Sequence, residues 1–175
     1  MSAIETIKSA IRDIPDFPKE GIIFKDITPL LANPSAFKAT IDILKDRYKD
    51  KGITQVVGIE ARGFIFASAL AYALGAGTVL VRKPGKLPYK TFKQSYSLEY
   101  GTDAVEIHQD AFQAGQKIVI LDDVLATGGT AQATVNLIEN NFKAEIVEVA
   151  FLIELDFLKG REKIKDLPVF SILHY

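Results

Sequence analysis

The chain has 175 residues, with 21 Lys and Arg against 22 Asp and Glu, a formal net charge of −1, and no cysteine. Such a length suits one domain with a full hydrophobic core, and the balanced charge offers no basic surface to recommend a nucleic acid as partner. Absence of cysteine excludes disulfides, thiolate catalysis and Cys-bound zinc, and with only His108 and His174 no His-rich metal centre is expected.

The N-terminus lacks a basic segment followed by a long apolar run, so no signal peptide is expected and a cytoplasmic location is. Ile4, Ile7, Ala10, Ile11 and Ile14 recur at helical spacing and predict a helix over residues 2 to about 13, with Ser2 as N-cap and Glu5 completing a capping box. Residues 13–21 read as a turn-rich connector, and Ile22-Ile23-Phe24 as a short extended piece. By composition alone Phe24 is a core aromatic. Asn33-Pro34 opens a second helix with Pro at its first position; Phe37, Ile41 and Leu44 line one face, and Gly52 ends it.

Gln55–Glu60 is the next strand, and Ala61-Arg62-Gly63 turns it into a helix over Phe64–Leu74. Arg62 is either an ion-pair partner of Glu60 or, since an Arg and a Gly at a strand-to-helix turn suit an anion, part of a binding site. Residues 63–81 carry no charge, but Gly75-Ala76-Gly77-Thr78 interrupts them; a short helix, a turn and a strand fit better than a membrane span. The third strand, from Thr78, ends in Arg82, Lys83 and Lys86, three cations within five residues. A long connection follows over 87–101, in which Ser95–Tyr100 alternates like an edge hairpin; long loops in compact domains are often functional. Residues 101–115 contain a short amphipathic piece.

Ile118–Leu121 predicts a strand buried on both faces, as in parallel sheets. Asp122 and Asp123 follow at its C-terminal end, then the small-residue turn Ala126-Thr127-Gly128-Gly129-Thr130 and a helix. Backbone N–H groups at such a turn, with a helix N-terminus behind them, form an anion site. The segment is neither a Walker loop nor a dinucleotide G-x-G-x-x-G, so a nicotinamide cofactor is not expected. Glu145–Glu154 is the last long strand, residues 155–163 a loop or short helix, and Val169–Leu173 a closing strand. Without repeats or a dividing linker, residues 1–175 read as one domain.

The ungapped segment Ile118–Thr130 resembles the phosphoribosyl pyrophosphate (PRPP) motif of type I phosphoribosyltransferases. Residues 17–29, 60–64, 82–100 and 154–162 resemble, in the same order, segments of the adenine phosphoribosyltransferases within that family. The resemblance implies an α/β fold: an open, mostly parallel sheet flanked by helices, with a small hood built from about residues 1–30 and the segment near 154–162. It implies transfer of the phosphoribosyl group of PRPP to adenine, giving AMP and pyrophosphate. In these terms Asp122 and Asp123 bind the ribose hydroxyls, and Ala126, Thr127, Gly128, Gly129 and Thr130 the 5′-phosphate. Ala61, Arg62, Arg82, Lys83 and Lys86 bind the pyrophosphate, while Ile23, Phe24, Lys25 and Leu155 contact adenine. Glu99 is the catalytic acid or base on a mobile loop, beside Tyr100.

The resemblance also implies Mg2+ carried by the substrate rather than by protein ligands, and a homodimer. Lys25 stands where some members have arginine. Two alternatives remain at this point: a PRPP-binding regulator without chemistry, and a family enzyme acting on a 6-oxopurine or a pyrimidine. The short, near-neutral chain and the presence of Glu99 argue against the regulator.

Overall fold

A computed structural model describes residues 1–164 and 166–175. The chain divides into two compact units, Met1–Arg47 and Tyr48–Tyr175.

In the first unit, helix α1 (Ala3–Ser9) carries the expected capping box: Glu5 N–H donates to Ser2 Oγ at 3.2 Å and Ser2 N–H to Glu5 Oε2 at 2.6 Å. The helix stops at Ser9, short of residue 13, because the following residues pair elsewhere. Strand β1 (Arg12–Pro15) runs antiparallel to β2 (Ile23–Asp26). Cross-strand ion pairs hold that ribbon: Arg12 to Asp26 at 2.6 Å and Lys25 to Asp13 at 2.7 Å. Opposite-charge pairs facing each other across a ribbon favour it over a helix that would leave them apart. A short helix, α2 (Thr28–Ala32), follows where the sequence shows no periodicity. Asp26 accepts from the Thr28 N–H at 2.9 Å; that bond and the Arg12 guanidinium lower its carboxyl to about 2. Helix α3 (Pro34–Tyr48) begins at Pro34 as expected, with Asn33 Oδ1 accepting from Ser35 and Ala36 N–H groups.

In the second unit the strands β3 (Gln55–Ile59), β4 (Gly77–Val81), β7 (Lys117–Leu125), β8 (Glu145–Glu154) and β9 (Val169–His174) form one sheet in the order β4-β3-β7-β8-β9. Every pairing in it is parallel. Between β4 and β7 the chain makes a separate antiparallel hairpin, β5 (Thr91–Ser97) with β6 (Thr102–His108). The hairpin is longer than the alternation of Ser95–Tyr100 announces, and β6 accounts for the amphipathic piece near Val105 and Ile107.

Helices cover the sheet in the manner parallel sheets require. Helix α4 (Gly63–Leu74) packs on β3 and β7. A Cβ on Gly58 would lie 2.9 Å from Ala67 Cβ and 3.2 Å from Phe64, so a glycine in β3 is what lets α4 approach this closely. Val57, Ile59, Ile118, Ile120, Val149 and Phe151 join a core with Val135, Leu137 and Ile138 of helix α5 (Gly129–Asn141) and with Val105 and Ile107 of β6. Each such buried aliphatic side chain contributes about 1.5–3 kcal/mol relative to exposure. At the sheet's other end, Tyr48 O–H donates to the buried Glu148 carboxylate at 2.6 Å. No helix among the described residues is long and apolar enough to cross a membrane.

This order places a topological switch between β3 and β7. The chain leaves β3 outward to β4 and returns on the opposite side to β7, opening a crevice beyond their C-terminal ends.

Candidate active site

The turn after β3 and the second half of β7 meet at that crevice. Strand β7 continues through Asp122 and Asp123 to Leu125, pairing Asp122 with Phe151 and Leu125 with Glu154 of β8. The sequence places the acidic pair at an open strand end; in the structure Asp123 is only 5% exposed. Three further ladder pairs with β8, at Asp122, Val124 and Leu125, together with the side chain of Arg62, account for the difference. Arg62 Nε lies 2.5 Å from Asp123 Oδ2, so Arg62 pairs with the acidic pair and not with Glu60.

Asp122 receives the Asp123 N–H on its Oδ1 at 2.8 Å. Burial pushes its carboxyl well above the ordinary range, and the adjacent Asp123 charge pushes in the same direction. Gly63 makes the arrangement sterically possible: a Cβ there would sit 2.9 Å from both Asp122 Oδ1 and the Leu121 carbonyl oxygen.

Beyond β7, residues 126–130 curl into the first turn of α5. Gly128 is the N-cap, at φ 80°, in the left-handed region that glycine adopts without strain. Residues 126–130 line a pocket of about 90 Å³ together with Asp122. The segment after β8 is packed on this turn's back. A Cβ on Gly128 would collide with the Gly160 carbonyl oxygen, and one on Gly160 with the Ala126 carbonyl oxygen. That segment forms two short 3-10 turns, Asp156–Leu158 and Gly160–Lys163. A buried carboxylate anchors it: Glu154 accepts from Arg161 at 2.9 and 2.6 Å and from Ser171 O–H at 2.6 Å. Leu155, half-buried, follows directly.

The cations after β4 are organised by Glu60. Its carboxylate accepts from Arg82 Nε at 3.1 Å, Arg82 Nη2 at 3.3 Å and the Lys83 N–H at 2.8 Å. Burial opposes the charge of Glu60, but the bonds from Arg82 and Lys83 prevail and hold its carboxyl below the ordinary range. Arg82 also donates to the Lys86 carbonyl at 3.3 Å, and Lys83 Nζ is bonded to Asp103. The Lys86 side chain is exposed, as is Ala61, which follows a cis peptide bond from Glu60.

Glu99 and Tyr100 occupy the turn between β5 and β6, closed by a Leu98 N–H to Gly101 carbonyl bond of 2.9 Å. Both are exposed, and they line a cavity of about 620 Å³ shared with Thr127, Gly129 and Lys163. The structure thus gathers Glu99, Tyr100, Thr127 and Gly129 around one cavity, while Asp122, next to the Asp123–Arg62 pair, shares a second with the 126–130 turn. In the first unit, Ile23, Phe24 and Lys25 lie on β2, whose ribbon has β1 as its single partner strand among the described residues. Phe24 is half-buried, with Phe17 edge-on at 5.2 Å between ring centroids.

Several contributors to the site have no assignment from the sequence. Glu60 and Gly160 stand in recognised segments, and a carboxylate directly after a strand or a glycine inside an otherwise polar stretch is the available signal. Tyr96 and Asp103 give none, since their contacts are made across strands.

The only cluster of metal-type ligands among the described residues is Glu154, Asp156 and His174, and its buried member is already bonded to Arg161 and Ser171. In the crevice, Asp122 and Asp123 supply the oxygen chemistry a hard cation takes, with one oxygen engaged by Arg62.

The phosphoribosyl transferase domain family matches residues 26–173 of this chain. The adenine phosphoribosyltransferase of Geobacter metallireducens is 58% identical over 172 residues, 98% of this chain and 100% of that protein. The crystal structure of the Rhodothermus marinus adenine phosphoribosyltransferase has a TM-score of 0.93 at 52% identity, covering 99% of this chain and 98% of that one. The Saccharomyces cerevisiae enzyme, crystallised with an imino-altritol bisphosphate and adenine, has a TM-score of 0.91 at 44% identity, covering 97% and 98%. With its parallel sheet, its acidic pair and its glycine turn placed as described, the chain belongs to the phosphoribosyl transferase family.

Proposed function

We propose that this protein transfers the phosphoribosyl group of PRPP to adenine, releasing pyrophosphate and forming AMP. The observation that carries the reading is the meeting of Arg62, the Asp122–Asp123 pair and the 126–130 turn at the switch point of the sheet. The choice of adenine rests on near full-length relatives that act on it by name.

Adenine N9 attacks C1′ while the bond from C1′ to the pyrophosphate oxygen breaks, so positive charge grows on the ribose and negative charge on the leaving group. Carboxylates at the sugar and cations at the leaving group are complementary to that separation. Asp122 and Asp123 accept from the ribose hydroxyls, and the N–H groups of residues 126–130 donate to the 5′-phosphate. Arg62, Arg82, Lys83 and Lys86 face the pyrophosphate, with Glu60 fixing two of them. Adenine reacts as its N7–H tautomer, whose N9 lone pair is free to attack, and Glu99 takes the N7 proton as N9 bonds. Its hairpin, when closed, keeps water from the reactive sugar. Asp122 and Asp123 are the residues that would hold Mg2+, through water, and the charge neutralisation it supplies when bound falls on the pyrophosphate.

Ile23, Phe24, Lys25 and Leu155 keep their assignment to adenine. An extended segment such as β2 carries backbone N–H and C=O groups in alternation, the pattern that pairs with the N6 donor and N1 acceptor of adenine. The test is pyrophosphate release on mixing protein, PRPP, Mg2+ and each base in turn. Adenine alone should support turnover at a substantial rate; release with no base, or with a pyrimidine, would refute the reading.

A further inference from the structure

The ammonium of Lys83 has a carboxylate partner outside the cluster after β4. It is bonded to Asp103 of β6, a pair half in solvent with side-chain exposures of 42% and 31%. Asp103 has other donors as well. Its Oδ1 accepts the Ala104 N–H at 2.8 Å, and Tyr96 O–H lies 3.3 Å from the same Oδ2 that holds Lys83. Tyr96 is held in turn by the phosphate turn: its hydroxyl is 2.9 Å from Thr130 Oγ1, and a Cβ on Gly129 would lie 3.4 Å from its ring. One tyrosine on β5 therefore joins the turn assigned to the 5′-phosphate to the carboxylate that occupies a pyrophosphate lysine.

We propose that Asp103 and Tyr96 are positioning residues for the diphosphate: Asp103 holds Lys83 until a diphosphate takes it, and Tyr96, already donating to Asp103 at 3.3 Å, keeps the vacated carboxylate satisfied. The inference rests on the assignment of Lys83 to pyrophosphate under the proposed function. A diphosphate carries more negative charge than a single carboxylate and outcompetes it for the ammonium. The exchange is possible because Asp103 is not stranded: the Ala104 N–H stays in place, and Tyr96 stays within reach through its Thr130 anchor. Losing Lys83 leaves the hairpin in place, because backbone bonds between Arg82 and Glu106 of 3.0 and 2.8 Å still join β6 to the segment after β4, and Tyr96 stays attached to the phosphate turn.

A half-exposed ion pair is worth a small factor, which sets the expected size of the effect. Inorganic pyrophosphate with Mg2+ is titrated calorimetrically into the parent protein, Asp103→Asn, Lys83→Met, the double variant and Tyr96→Phe. Asp103→Asn should tighten pyrophosphate binding roughly two- to fivefold, because Lys83 no longer leaves a charged partner. Lys83→Met should weaken binding both alone and combined with Asp103→Asn, and by a larger factor in the combination, where Asp103 no longer competes for the ammonium. Tyr96→Phe should weaken binding in the parent and have no effect when Asp103→Asn is present. Asp103→Glu, which keeps the charge, should bind as the parent does; equal tightening by Glu and Asn would assign the effect to shape and overturn the proposal. Unchanged or weaker binding by Asp103→Asn, with Lys83→Met equally harmful in both backgrounds, would refute the exchange and leave the Lys83 assignment standing. No effect of Lys83→Met in either background would refute that assignment and the exchange with it.

Discussion

Arg62 Nε and Asp123 Oδ2 meet 2.5 Å apart across the switch point of the sheet, one delivered by the turn after β3 and the other by β7. Asp123 is nearly inaccessible while the Arg62 side chain is 44% exposed, so the pair is buried on one side only. Removing a partner from a fully buried pair costs about 3–5 kcal/mol; solvent around Arg62 reduces that to about 1–2 kcal/mol for Arg62→Ala. Adding Asp123→Asn should recover part of the loss, because the uncompensated charge is gone. Urea unfolding of the two single variants and the double variant measures the coupling, and strict additivity would contradict the pairing.

Asp122 is costly to the folded chain, and under the proposed function it is an acceptor for the ribose. Burial first, and the neighbouring Asp123 charge second, raise its carboxyl above its unfolded value. Between the unfolded pKa of about 3.9 and the raised folded one, the native state binds more protons, so stability falls as pH rises through that window. Asn at 122 carries no such dependence. Asp122→Asn should therefore melt higher than the parent at pH 7, the gain vanishing below about pH 4. Its kcat/KM should fall at least about tenfold through loss of a charged acceptor for the ribose. An Asn variant less stable than the parent at neutral pH would refute the assignment of strain to this carboxylate.

Gly160 sits where a methyl group has no room. Its Cβ would collide with the Ala126 carbonyl oxygen and approach Gly128 N and Leu125 Cδ1 to 3.0 Å. Backbone cannot yield as a flexible side chain does, so Gly160→Ala should cost about 1–3 kcal/mol and displace the phosphate turn. KM for PRPP should rise accordingly. A variant with the parent's melting temperature and KM would show that the two segments are not in contact in solution.

Glu99 stands exposed at the hairpin tip, so a substitution there tests its proposed part in the chemical step with little effect on folding. Glu99→Gln should lower single-turnover AMP formation by roughly 10²–10⁴-fold while leaving PRPP affinity and unfolding midpoint as in the parent. AMP formation at the parental rate would leave the hairpin as a cover only.

What is legible in the sequence is what is local. The acidic pair, the glycine turn and the helix after it are contiguous, and β8 begins and ends at the residues its apolar run marks. Ser2 and Glu5 announce the start of α1, but nothing near Ser9 announces its end. Strand β1 is defined by partners across the ribbon, not by its own alternation. The extension of β7 past Leu121 likewise depends on Phe151 and Glu154 of β8, so the carboxylates look exposed from the sequence and are not. Ion pairs such as Arg82 with Glu60 and Lys83 with Asp103 span about twenty positions, and no periodicity encodes them.

The central claim is transfer to adenine, and the measurement that tests it most directly is the ratio of kcat/KM for adenine to that for hypoxanthine under saturating PRPP and Mg2+. Fixed backbone donors and acceptors along β2 would meet hypoxanthine, with its O6 acceptor and N1 donor, like against like. Polar groups left unpaired in this way support discrimination on the order of 10⁴. The account predicts a ratio of that order, retained in Phe24→Ala even as KM for adenine rises, since an aromatic face binds both purines alike. Comparable values for the two bases would contradict it.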